Sequence, residues 1–253
     1  MASVRMRFLN THIDNVTFDE AVDIIDEMVS SGNGGYIVTP NVDHIVQLET
    51  DEKLRRIYEG ASLIITDGKP LIWISRLQKR PIKEKISGSD MFFRLCALSA
   101  KKGYRLFFLG GKEGVAQKAR ERLEEDYPGI NICGCYAPAV GFESDEAEVK
   151  SIISIVKAAK TDILVVCLGA PKQEYFIYDN REALKGIVCC GFGASLDFAA
   201  GIIRRAPVWM QKSGLEWLYR LCHEPGRLAG RYLGRDLKIF AIAHKYRKAG
   251  DDS

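Results

Sequence analysis

Short, unbroken apolar runs alternate along this chain with stretches in which apolar residues recur every three or four positions. The runs lie at 36–39 (YIVT), 63–65 (LII), 105–109 (RLFFL), 131–136 (NICGCY), 162–168 (DILVVCL) and 187–190 (IVCC). Continuous Val/Ile/Leu segments of this length read as strands buried on both faces. The stretches between them read as helices with local start and stop signals. Thr17-Phe18-Asp19-Glu20 has the capping-box form, with Val22, Ile25 and Val29 following at helical spacing. Asn41 is placed to cap a helix carrying Ile45, Val46 and Leu48. Pro70 suits the first turn of a helix over 70–78, and Gly103 stops one that starts at 87–90. Residues 1–16 read as an edge strand or a hairpin. The alternation predicts an α/β fold: a Rossmann-like, parallel-rich sheet with helices on both faces.

After Pro207 the pattern changes. Residues 208–221 and 226–248 both read as helices, with no strand between or after them. In the second, Leu228, Tyr232, Leu237, Phe240, Ala241 and His244 form an apolar side. The expected division is an α/β domain over 1–206 and a helical appendage over 207–253. Charge follows the same division. Residues 201–253 hold 11 Lys and Arg against 5 Asp and Glu, whereas the rest holds 25 against 28. A basic tail on a near-neutral body points to an anionic partner for the tail.

Composition narrows the picture further. The 253 residues, 47% of them hydrophobic, suffice for one large domain with a real core. The 7 cysteines show neither a C-x-x-C pair nor a Cys/His grouping with zinc spacing, so reduced, buried thiols are expected. No apolar run approaches the ~18 residues of a membrane span, and no signal peptide is expected at the amino terminus. The reading is a soluble or peripheral protein.

The candidate chemistry lies at the strand ends. The run at 63–65 stops at Thr66-Asp67-Gly68, which sets a carboxylate at the carboxyl edge of the sheet, where ligands of open α/β folds bind. Two roles are open to Asp67: cap of the next helix, or a functional carboxylate. Thr39-Pro40-Asn41, Gly110-Gly111, the 169–174 turn and Gly191-Phe192-Gly193 close other strands, and glycine turns let backbone N–H groups approach a phosphate. G-x-G-x-x-G, a Walker sequence and G-x-S-x-G are all missing, which weakens dinucleotide, P-loop and hydrolase readings. Nor does a strand end in Asp-x-Asp, the usual metal holder for a sugar diphosphate. Arginines of the tail, Arg220, Arg227 and Arg231, are candidates to neutralise such a diphosphate.

Taken in order, Thr39-Pro40-Asn41, Asp67-Gly68, Gly88-Ser89-Asp90, Phe108-Leu109-Gly110-Gly111, the Gly169–Glu174 turn, Asp197-Phe198, Arg205-Ala206-Pro207 and the 215–220 stretch (LEWLYR) resemble the WecG/TagA/CpsF glycosyltransferases. The resemblance runs from about Asn10 to the tail arginines. It implies an inverting, metal-independent transfer of N-acetylmannosamine or its uronic acid from a UDP-sugar. The implied acceptor is a polyprenyl-diphosphate-linked N-acetylglucosamine at the inner membrane leaflet, for a cell-wall or surface polysaccharide. Asp67 matches the family's proposed general base. Thr39, Asn41 and Gln173 are expected to line the sugar and acceptor pocket. Gly110, Gly169, Gly193 and Asp197 complete the expected substrate edge. Arg220, Arg227 and Arg231 are expected at the diphosphate. Lys85 stands where the family pattern leads one to expect an arginine; it keeps the charge and loses the fork. No metal, cofactor or nucleic acid is expected. The appendage would close over the site and touch the membrane, and copies could associate through the sheet domain. The alternatives are a same-fold transferase using another UDP-hexose and a non-catalytic polyanion-binding module.

Overall fold

The computed structural model describes residues 5–251, with the side chains of Lys212, Arg227 and residues 248–251 outside that description. Strands β3 (Gly35–Val38), β4 (Leu63–Ile64), β5 (Arg105–Gly110), β6 (Asn131–Tyr136), β7 (Ile163–Cys167) and β8 (Val188–Gly191) form one sheet in the order β4-β3-β8-β7-β5-β6. Every neighbouring pair is parallel. This is the predicted α/β architecture. β1 (Arg5–Phe8) and β2 (Thr11–Asp14) pair antiparallel with each other and form a separate hairpin, not an edge of the sheet. The hairpin is tied down through Asp14, whose carboxylate receives Arg5 at 2.8 Å and the Ile64 N–H at 2.8 Å.

Successive side chains of each strand enter two different cores. Ile64, Phe107, Leu109, Leu164, Val166 and Cys189 point to one face; Leu63, Leu106, Phe108, Ile163, Val165 and Cys190 point to the other. The first face is covered by α2 (Val42–Gln47), α3 (Glu52–Glu59), α4 (Lys69–Leu77), α7 (Glu146–Ala158) and α8 (Lys172–Asp179). The second is covered by α1 (Phe18–Ser30), α5 (Gly88–Lys102), α6 (Val115–Asp126) and α9 (Ser195–Ala199). Two-sided burial is why the strands read as unbroken apolar runs. The chain leaves β3 and β7 for the first face, and β5 and β8 for the second. Neighbouring loops therefore part above the carboxyl edge, and a crevice opens there.

The local signals behave as their chemistry requires. Thr17 and Glu20 form the reciprocal capping box of α1, at 3.3 and 2.7 Å. Asn41 caps α2 by accepting the His44 N–H at 3.3 Å. All seven cysteines are free thiols.

The appendage is more broken than its periodicity predicts. The expected helix over 208–221 is α10 (Val208–Ser213) and α11 (Glu216–His223), divided at Gly214. Gly214 has φ +81°, and a Cβ there would lie 3.1 Å from Lys69 Cβ, so the chain reverses tightly against α4. The expected helix over 226–248 is α12 (Pro225–Tyr232), a 3-10 turn (Arg235–Lys238) and α13 (Ile239–Asp251). Gly234 permits that break, since a Cβ on it would meet the Gly230 carbonyl at 2.7 Å. The predicted apolar side is corrected too: Leu228, Ile239 and Ile242 are buried, while Leu237 and Phe240 face solvent. Among the described residues no helix is long and apolar enough to cross a membrane.

Candidate active site

The extended backbone after β4 carries Asp67 to the end of β3. Ile65 N–H donates to the Val38 carbonyl at 3.1 Å, and Asp67 N–H donates to the Pro40 carbonyl at 2.8 Å. Gly68, at φ +103°, is the N-cap of α4, and no side chain caps that helix. The capping role for Asp67 is therefore not taken, and its carboxylate is left to the crevice. Burial raises this carboxyl above the usual aspartate range; Lys85 and Arg220 pull it down, while Glu216 and Asp90 push it further up. Those four groups are the charges that face Asp67.

They come from two directions. Lys85 and Asp90 flank the start of α5, where Ser87 Oγ accepts the Asp90 N–H at 3.2 Å and also binds the Asp90 carboxylate. Arg205 Nη1 donates to Asp90 Oδ1 at 2.7 Å. Burial works against the Asp90 carboxylate, but the Arg205 and Ser87 hydrogen bonds outweigh it and hold its pKa below the usual range. Glu216 and Arg220 are one helical turn apart on α11, so the appendage lies over Asp67, with Lys85 Nζ 3.9 Å from Glu216 Oε2. Around this group several buried polar atoms have no partner: Thr66 Oγ1, Arg205 Nε and Nη2, and Arg220 Nε. Buried donors without acceptors are costly and rare. Such a set beside a carboxylate suits an anionic ligand that supplies the acceptors.

A second group lies on the rim formed by α2. Arg231 Nη2 donates to Asn41 Oδ1 at 3.2 Å, and Arg231 Nε stands 3.4 Å from Asp43 and 3.5 Å from Asp236. Arg235 Nη2 pairs with Asp43 at 2.6 Å. Thr39 is buried at the same strand end, 3.6 Å from where a Cβ on Gly88 would stand. Gln173 does not line the crevice: it is 3% exposed, and its carbonyl accepts the Gly193 N–H at 3.0 Å. It shapes the edge through that turn.

The glycines divide by role. Gly110, at φ +114°, is demanded by packing, because a Cβ would lie 2.4 Å from the Cys167 carbonyl oxygen. Gly169 and Gly193 face open space. Asp197 lies in the first turn of α9 and does not cap it. The side chain of Arg227 lies outside the described residues. Asp90, Arg205 and Glu216 were not singled out from sequence; the one signal was their place in short motifs shared with the family. Two hollows, of about 240 Å³ beside the hairpin and about 470 Å³ between α2 and α13, lie apart from Asp67. Among the described residues no three or more His, Cys, Asp or Glu are gathered as a metal site.

A carboxylate freed from capping, faced by a lysine and an arginine at the carboxyl edge of a parallel sheet, suits a group-transfer reaction. The carboxylate can take a proton from an attacking hydroxyl, and the cations can meet charge on an anionic leaving group. The chain matches the model of the Glycosyl transferase WecG/TagA/CpsF family over residues 6–252 and belongs to that family. It is similar to the N-acetylglucosaminyldiphosphoundecaprenol N-acetyl-beta-D-mannosaminyltransferase of Bacillus spizizenii, 33% identical over 199 residues, which cover 79% of this chain and 75% of the relative. The Staphylococcus aureus (strain MW2) protein of the same name is 27% identical over 248 residues, covering 97% of this chain and 95% of that one.

Proposed function

We propose that this glycosyltransferase moves N-acetylmannosamine, or its uronic acid, from a UDP-sugar to a polyprenyl-diphosphate-linked N-acetylglucosamine. The transfer inverts the anomeric centre and needs no metal. The relatives' names supply the acceptor and the sugar. The observation that carries the reading is Asp67, free of a capping role and half-buried beneath the Glu216 and Arg220 of α11.

Asp67 accepts the proton of the acceptor hydroxyl as its oxygen attacks the anomeric carbon from the face opposite UDP. The new C–O bond forms as the bond to the diphosphate oxygen breaks, and the electron pair leaves with UDP. Arg220 through Nε and Arg205 through Nε and Nη2, buried atoms with no protein acceptor, meet that charge, with Arg231 at the rim. The Gly169 and Gly193 turns leave room for the donor at the strand ends.

The enzyme works at the inner face of the cell membrane, as a peripheral protein. What supports this is the outer surface of the appendage. Trp209, Leu233, Leu237 and Phe240 are exposed there, among Arg235, Lys238 and other cations. α11 of the same appendage covers the site, so lipid contact and closure fall to one part of the chain.

The test is transfer from UDP-N-acetylmannosamine to a short-chain lipid-diphosphate N-acetylglucosamine with EDTA present, alongside Asp67→Asn. The parent is expected to turn over and the variant to lose about 10²- to 10⁴-fold. Near-parental turnover in Asp67→Asn removes Asp67 as base. UDP binding without transfer from this donor redirects the reading to another UDP-hexose.

A further inference from the structure

Beneath the crevice lies a polar chain that the mechanism above leaves unused. Glu174 and His44 are each 2% exposed, on α8 and α2 respectively. Glu174 Oε1 accepts Gln173 Nε2 at 2.9 Å and stands 3.4 Å from His44 Nε2. The other ring nitrogen, His44 Nδ1, accepts the Asn41 N–H at 3.3 Å, which puts the ring's proton on Nε2, facing Glu174. The Glu174 carboxylate thus accepts from Gln173 on one oxygen and only contacts the His44 ring, whose Nε2 completes no hydrogen bond. The second carboxylate oxygen has no partner, nor has the hydroxyl of buried Tyr58, whose ring lies 6.1 Å from that of His44. Burial, and after it the charges of Glu174 and Asp43, push the Tyr58 hydroxyl well up, so it stays protonated.

A buried carboxylate with one unmet oxygen costs the fold stability, so what its contacts hold in place is informative. The geometry shows what that is. The amide of Gln173 has two orientations, related by a flip. In the observed one its oxygen faces the Gly193 N–H and its nitrogen faces Glu174. Flipped, it would set a donor against the Gly193 N–H and an oxygen against the carboxylate. Glu174 therefore fixes the orientation of Gln173, and Gln173 fixes the β8 turn. On the other side His44 fixes the Asn41 turn, to which Arg231 of the appendage is bonded.

We infer that Glu174 and His44 form a positioning dyad that locks the turns after β3 and β8, and with them the seat of Arg231, into one arrangement. Neither residue touches substrate; both act through Gln173, Gly193 and Asn41. The consequence for transfer rests on the reading proposed above, whereas the locking of the turns does not. Amide exchange followed by mass spectrometry therefore serves as a separate readout.

Three substitutions test the dyad. Glu174→Met removes the acceptor of Gln173 and the polar contact of His44 at similar volume. It is expected to speed exchange of the Gly193 and Asn41 amides at least about tenfold, while the strand amides keep parental protection. It is also expected to lower kcat/KM by about 10- to 100-fold, the larger part in the UDP-sugar KM. Glu174→Gln keeps an oxygen for the Gln173 amide and recovers the larger part of both effects. His44→Asn retains an acceptor at the place of Nδ1 and drops only the contact with Glu174. It gives the smaller version of the Gly193 change, and stands in if Glu174→Met does not fold. Parental exchange at Gly193 in Glu174→Met, or in His44→Asn where the methionine variant does not fold, overturns the dyad. So does an equal loss in the Met and Gln variants that simply follows a lowered Tm. Should the parent itself fail to transfer, the proposed function falls, and the exchange results alone decide the dyad.

Discussion

The sheet and the appendage use apolar residues to opposite ends. In β5, β7 and β8 alternate side chains fill two cores and almost none sees solvent. After Pro207 the chain buries little beyond Leu228, Ile239 and Ile242, while Trp209 is 64% exposed, Leu233 62%, Leu237 54% and Phe240 70%. What holds the appendage is largely charge: Arg231 and Arg235 on Asp43, Lys245 on Glu49 at 2.8 Å, and Lys85 on Glu216. Partly exposed ion pairs are screened by salt, whereas apolar burial is not weakened by that screening. The body is therefore permanent, and the cover over Asp67 is held by contacts that ionic strength and competing anions weaken.

The contrast breaks first at Arg220, which belongs to the cover but acts on the body. Arg220→Ala is expected to cost about 10²- to 10³-fold in kcat, as loss of a charge-stabilising donor does, with an unchanged Tm. Single-turnover rates check it, and a loss confined to KM would reduce Arg220 to simple binding. The next effect is at the outer surface. Leu237→Ser combined with Phe240→Ser should weaken sedimentation with phosphatidylglycerol vesicles about tenfold or more and leave transfer to a short-chain acceptor intact. Unchanged vesicle binding would leave those side chains with no part in membrane contact.

The smallest effect is on pH. Asp67 must be ionised to take a proton, and burial holds its pKa above the usual range, with Glu216 and Asp90 adding to the rise. The rate should therefore fall as pH drops through that raised value. Glu216→Gln should move the acid limb of kcat/KM to lower pH, and Arg220→Ala should move it higher; limbs that coincide would detach the appendage from the base. The folded state binds this proton more tightly than the unfolded chain does. Its contribution to stability is thus full below the unfolded pKa and lost as pH rises through the folded one. Asp67→Asn should accordingly melt no lower than the parent at pH 7.

What could be read in advance follows the range of the interaction. The strands, the Thr17 box and the Asn41 cap are set by neighbours within a few residues, and all were legible. Asp67 was visible as a carboxylate at a strand end. Its freedom from capping depends on Gly68 taking φ +103°, which one glycine in a sequence does not announce. Arg205 and Asp90 are 115 residues apart, and no local spacing links them. The same holds for His44 and Glu174, which are far apart in sequence and read separately as a helix residue and part of a turn. The helix breaks at Gly214 and Gly234 were missed because an isolated glycine is tolerated within a helix. Only the contact with Lys69 in one case, and the close Gly230 carbonyl in the other, makes these two decisive.

The tight reversal at Gly214 has an optical consequence. A Cβ there would lie 3.2 Å from the indole of Trp73, and the other tryptophans, Trp209 and Trp217, lie on the helices to either side. All three tryptophans of the chain are thus gathered on α4, α10 and α11, and the sheet contains none. Their exposures of 48%, 64% and 39% leave each indole sensitive to the polarity around it. Tryptophan emission therefore reports on the appendage and on α4, against which it turns. A blue shift of that emission on adding vesicles or UDP would time the movement of the appendage without a label.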